Sequence, residues 1–148
     1  EYRDRSFYSG GGGLISTISD YYRFCQMLLN GGELDGQRIL GPRTIEFMIQ
    51  NHLPGGVDMS EFARGSFSET SYEGIGFGLG FAQRVDAVKG GTMGTLGEYF
   101  WGGMASTIFW NDPAEDLTAI FMTQLIPSGT FNFRGQLQSI IYSALLDS

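Results

Sequence analysis

Two runs near the end of the chain, MASTIFW at 104–110 and LTAIFMTQL at 117–125, constrain the fold most. Both are rich in β-branched and aromatic residues, and NDPAED between them supplies a proline and turn formers, so they predict an antiparallel hairpin. A hairpin alone cannot bury its apolar side and needs further strands or a covering helix. FRGQLQSIIYSALL at 133–146 offers such a helix, with Leu137, Ile140, Ile141, Ala144 and Leu145 at helical spacing. The expectation is a closing helix that lies across a sheet.

The preceding residues supply shorter elements. Thr17 with Asp20 three residues on forms a capping-box start, and Tyr21, Phe24, Cys25 and Leu28 then share one helical face. Gly31 and Gly32 stop that helix where a left-handed residue is wanted. Asp35-Gly36 predicts a tight hairpin turn, and Pro42 opens a second helix whose buried side is Ile45, Met48 and Ile49. The glycine run at 10–13 shapes the loop before the first helix, and 51–73 reads as an exposed loop. GIGFGLGFAQRV at 74–85 alternates glycine with large apolar residues, which predicts one strand whose small face lies against another backbone. DAVKGGTMGTLGE at 86–98 is a turn or loop.

These elements add up to an α+β class fold, an antiparallel sheet with flanking helices, over a single domain 1–148 with no repeat and no linker. The 23 glycines among 148 residues fall between ordered segments, which indicates many tight turns rather than low complexity. A net charge of −7 with only 9 lysines and arginines, scattered along the chain, argues against nucleic acid as a partner. No apolar run reaches membrane-spanning length, and the compartment is left open.

The inventory of reactive side chains is thin. The one histidine, His52, has no His, Cys or carboxylate at ligand spacing and reads as solvated or packed in a loop. Cys25, the one cysteine, sits on the apolar side of its helix and reads as buried. No metal or nucleotide pattern occurs, so no cofactor and no metal are expected. The glycines at 74–80 mimic a dinucleotide loop without the parallel βαβ setting that loop requires. The carboxylates of DPAED read as a solvated turn.

One stretch stays unexplained by packing alone. GEYFWGG at 97–103 places Gly102 and Gly103 directly behind Trp101 in what reads as the interior of a buried strand. Glycine there costs backbone entropy and marks a bulge or a close approach by another group. Together with GGGGLISTISDYYRFCQMLLNGGELDGQRIL, GFGLGF and FWNDPAEDLTAIFMTQ, it resembles the C-terminal part of serine β-lactamase-family proteins. That superfamily includes class C β-lactamases, penicillin-binding proteins and family-VIII carboxylesterases, and the segments run in the family's order.

The resemblance implies a β-lactamase/transpeptidase-like fold and a cleft where three motifs meet. Trp101-Gly102-Gly103 stands at the third motif, a variant of K-T-G, while the S-x-x-K and Tyr motifs do not occur in this chain. In the family both lie N-terminal to the matching segments, so the expectation is a C-terminal portion of a larger serine hydrolase, inactive alone. The third-motif strand lines the substrate cleft, so Gly102 and Gly103 leave its edge open to an acyl group. The backbone N–H of Met104 then supplies half of an oxyanion hole. Trp101 in place of the usual lysine suits a neutral ester or amide better than a charged lactam. The implied partners are a small ester, amide or lactam substrate and either the missing N-terminal half or a second copy, held through exposed sheet surface. The alternative is a non-catalytic ligand- or partner-binding domain of the same fold.

Overall fold

The structure, a computed structural model, describes residues 10–12, 14–62 and 72–146. Helix α1 (Ile18–Leu29) leads into a two-stranded hairpin, β1 (Glu33–Leu34) and β2 (Gln37–Arg38), then helix α2 (Pro42–Met48). A 3-10 turn at Pro54–Gly56 and a short helix α3 (Met59–Phe62) follow. A five-stranded antiparallel sheet comes next, ordered β3 (Ile75–Phe77), β4 (Ala82–Arg84), β5 (Tyr99–Gly102), β6 (Ile108–Asp112) and β7 (Leu117–Phe121). Helix α4 (Phe133–Ala144) closes the chain. The predicted α+β class, with an antiparallel sheet flanked by helices, is the observed one.

Local signals place the first helix. The Thr17 hydroxyl accepts from the Asp20 N–H at 3.1 Å and donates to the Asp20 carboxylate at 2.8 Å, a cap of roughly 1 kcal/mol. At the other end the Gly32 N–H donates to Met27 O and the Gly31 N–H to Leu28 O, with φ of +95° and +68°. That pairing is a Schellman stop, which glycine satisfies without strain. The buried face is Cys25, Met27 and Leu28 with Tyr21 half-buried, whereas Phe24, expected on it, is exposed. Asp35 and Gly36 both take positive φ, as a tight two-residue hairpin requires.

Three expectations change in the sheet. The glycine-alternating stretch is two strands, since the chain reverses between Phe77 and Ala82. Its small face meets backbone at one point only: a Cβ on Gly78, just past β3, would run into the carbonyls of Met48 and Gln50, whereas one on Gly76 would meet the Asn51 side chain. Part of the expected 51–73 loop is ordered instead. Asn51 accepts the N–H of Leu53 and of Phe77, both at 3.1 Å, which ties this segment to β3, and Tyr72 is buried. Residues 63–71 of that loop, and Gly13 of the glycine run, lie outside the described residues.

The third change concerns the closing helix. The two helices cover opposite faces: α1 packs on the side of Tyr99, Phe109 and Asn111, where the Asn111 amide donates to Cys25 O at 3.0 Å. α4 covers the other side with Gly135 and Gln138 buried and Leu137, Ile141 and Tyr142 half-buried, so of the five apolar residues expected inward Ile140, Ala144 and Leu145 are exposed, Leu145 as the C-cap. The reason is the surface beneath. Arg84, Glu98 and Asp112 are buried there, and buried charges require polar partners. Asp112 is therefore the exception to the solvated reading of DPAED.

Candidate functional site

The site is built where β5 turns into β6. Trp101 pairs with Phe109 and Gly102 with Ile108, and β5 ends at Gly102. The Gly103 N–H then donates to Thr107 O at 2.9 Å and the Ser106 N–H to Gly103 O at 3.1 Å, closing a tight turn in which Ser106 takes φ +65°. The two glycines thus stand at a strand end and turn, and the buried-strand interior expected for them begins only at Ile108. Neither has positive φ, so space rather than conformational freedom selects them. A Cβ on Gly102 would run into the Arg134 guanidinium, and one on Gly103 into Thr107 Oγ1.

The turn is held from two sides. Arg134, in the first turn of α4, donates to Gly103 O and to Thr107 O, both at 3.2 Å. On the far side Leu125 N–H donates to Ala105 O and Ser128 N–H to Met104 O, while the Ser106 hydroxyl donates to Leu125 O at 2.7 Å. The Met104 N–H has no hydrogen-bond partner among the described residues, and its side chain points to solvent at 69% exposure. β4 pairs with β5 only at Tyr99 and Phe100, so the strand edge beside Trp101 and Gly102 is uncovered by β4.

A hollow of about 230 Å3 opens beside this turn. Its lining includes Trp101, Gly102, Gly103 and Thr107 together with Tyr21, Ile120 and Met122. Of the four residues singled out in the sequence, the structure brings three into the hollow, and Met104 is not among its lining residues. Trp101 is half-buried, meets Phe77 edge-on at 5.0 Å, and packs against two groups of buried residues, one containing Cys25, Leu28 and Phe109 and the other Tyr72, Ile75 and Ala82. Its indole is therefore fixed by the core.

Tyr21 and Thr107 escaped the sequence reading because nothing local marks them: Tyr21 arrives from α1 across the sheet, 5.2 Å from the Phe109 ring. Burial, with Cys25 nearby, pushes the Tyr21 phenol up to about 12, so it stays protonated. Burial likewise pushes the Cys25 thiol up to about 12, in keeping with a packed rather than a reactive cysteine. His52 packs its ring on Phe47 at 4.6 Å and meets Phe47 O at 2.6 Å, the loop-packing role expected of it. Ser106 is buried with its hydroxyl engaged. Among the described residues no group of three or more His, Cys, Asp or Glu gathers as a metal site, and no helix is long and apolar enough to cross a membrane.

A sequence model of the family described as Beta-lactamase matches residues 1–138. Protein Rv1367c of Mycobacterium tuberculosis (strain ATCC 25618 / H37Rv) is 35% identical over 125 residues, covering 82% of this chain and 30% of that protein. Among solved structures, EstCE1, described as a hydrolase with promiscuous acyltransferase activity, superposes with a TM-score of 0.66 at 29% identity, covering 91% of this chain and 32% of that one. Unliganded simvastatin synthase (LovD) from Aspergillus terreus superposes with a TM-score of 0.68 at 19% identity, covering 86% and 33%, a likeness of fold. The chain spans about a third of the length of each of these relatives.

Proposed function

This chain belongs to the beta-lactamase family, and on that premise we propose that it forms the C-terminal portion of a serine hydrolase acting on esters or amides through an acyl-enzyme. Its contribution is one wall of the acyl cleft and half of the oxyanion hole. The observation that carries this reading is the Met104 N–H, without a partner among the described residues and set within the Gly103–Thr107 turn, whose carbonyls at 103 and 107 Arg134 holds. A backbone donor fixed before the reaction costs no reorganisation when charge develops on the carbonyl oxygen. In known enzymes one such donor contributes about 2.7–4 kcal/mol.

Trp101 supports the substrate class. An indole offers an apolar face and one N–H where a lysine would offer a charge, which favours a neutral acyl group. EstCE1 is described as a hydrolase with promiscuous acyltransferase activity, which supports an acyl-transfer reading. The nucleophilic serine and its proton-transfer partners come from the S-x-x-K and Tyr segments that this chain does not contain. β7 ends the sheet on one side with all five residues half-buried, and it is where strands of that other segment add.

A second reading has its own support. Tyr21 stays protonated and Ser106 is engaged, so the hollow as it stands suits a ligand better than a nucleophilic attack. That favours a binding domain of the same fold. Hydrolysis of p-nitrophenyl acetate and butyrate separates the two, measured on this chain alone and mixed with the segment that carries S-x-x-K. Activity in the mixture only is the expected result. Activity of the chain alone overturns the assignment of an external nucleophile, and silence in both leaves the binding domain.

A further inference from the structure

The polar cluster under α4 has one hydrogen too few. Glu98 is fully buried, and its Oε1 accepts Arg84 Nε at 2.8 Å and Gln138 Nε2 at 3.2 Å. Asp112 is also fully buried, and its Oδ1 accepts the Thr95 hydroxyl at 2.5 Å and the N–H of Ala114 at 3.0 Å. The second oxygen of each carboxyl faces the same phenol: Tyr142 Oη lies 2.7 Å from Glu98 Oε2 and 2.6 Å from Asp112 Oδ2. A phenol carries one hydrogen and can donate it to one oxygen. The other contact, at hydrogen-bond length, needs a hydrogen from the carboxyl.

Charge leads to the same count. Arg84, held also by Thr92 Oγ1 at 3.0 Å and Thr92 O, is the one cation in this cluster among the described residues, facing two carboxyls. With both ionised the buried cluster carries a net charge of −1, which a water-excluded site disfavours. With one proton added it is neutral. The ionisable groups that face one another here are Arg84 from β4, Glu98 from the loop before β5, Asp112 from β6 and Tyr142 from α4.

We propose that Glu98 and Asp112 share a single proton through the Tyr142 hydroxyl, one carboxyl donating to the phenol oxygen while the phenol donates to the other. The proton resides on Glu98 Oε2 or on Asp112 Oδ2, and the phenol rotates to match. Burial raises Glu98 above its ordinary value, in the same direction. The arrangement pins the C-terminal half of α4 to the sheet. Because Arg134 in the same helix holds Gly103 O, loss of the shared proton loosens the helix that fixes the β5–β6 turn.

Infrared spectroscopy of the protein at neutral pH tests this, because a protonated carboxyl has a C=O stretch that carboxylates lack. The expected spectrum holds one buried protonated-carboxyl band. Glu98→Gln and Asp112→Asn each supply an amide hydrogen in place of the shared proton, so each substitution alone removes the band. A spectrum of the unsubstituted protein without that band overturns the proposal and needs no variant to fold. Retention of the band in either variant overturns it too, since the proton then belongs to one residue or lies elsewhere.

Discussion

The guanidinium of Arg134 occupies the space where a side chain on Gly102 would stand, and from there it donates to the carbonyls of Gly103 and Thr107. One glycine thus lets a cation of the last helix grip the turn of the candidate site. Gly102→Ala pushes that guanidinium, the far end of a flexible side chain, off its position, and the loss of its hydrogen bonds to Gly103 O and Thr107 O costs about 1–3 kcal/mol. Urea denaturation checks it. In the double variant with Arg134→Ala the two losses combine to less than their sum, because the clash is gone.

Cys25 provides a chemical probe of the α1 face. Its thiol is fully buried and raised to about 12, so the thiolate that reacts with aromatic disulfides is scarce at pH 8. We expect negligible labelling of the native protein and complete labelling in denaturant. Rapid native labelling would mean that α1 leaves the sheet readily.

The pH dependence of stability has two limbs. Glu98 is raised in the folded state, chiefly by burial and against the opposing pull of Arg84. The stability it confers is present below its unfolded value of 4.5 and is lost as pH rises through the folded value. Asp58 and Asp86 are lowered from 3.8, Asp58 first by the Ser60 hydroxyl and Asp86 first by the Lys89 N–H. Their contributions are present above 3.8 and vanish as pH falls through their folded values. Thermal unfolding followed against pH therefore declines on both sides of a maximum, and Glu98→Gln flattens the alkaline decline while the acid limb survives.

The elements legible in the sequence are those whose causes are local. The Thr17 cap, the Asp35-Gly36 turn and the alternation of β6 and β7 each act within a few residues. What was not legible depends on distant partners. The reason for Gly102 lies in Arg134, and the polar underside of α4 answers to Glu98, 44 residues before Tyr142. Apolar spacing marked Ile140 and Leu145 as inward because spacing cannot see that the sheet beneath is charged. Of the residues lining the hollow, Trp101, Gly102 and Gly103 are legible through their motif, whereas Tyr21 enters it by tertiary packing alone.

The oxyanion role proposed for Met104 separates backbone from side chain. The side chain is exposed and lines nothing in the hollow, so in the serine hydrolase proposed above Met104→Ala leaves ester hydrolysis near its original rate. Met104→Pro deletes the N–H itself, and kcat falls by about 10²–10³-fold with KM little altered, because the lost donor acts on charge that exists only in the transition state. Steady-state kinetics on p-nitrophenyl butyrate read both, and circular dichroism confirms that the proline variant is folded. Equal losses in the two variants would place the side chain, not the amide, at the reacting group. An unchanged rate in a folded proline variant would remove Met104 from the oxyanion hole.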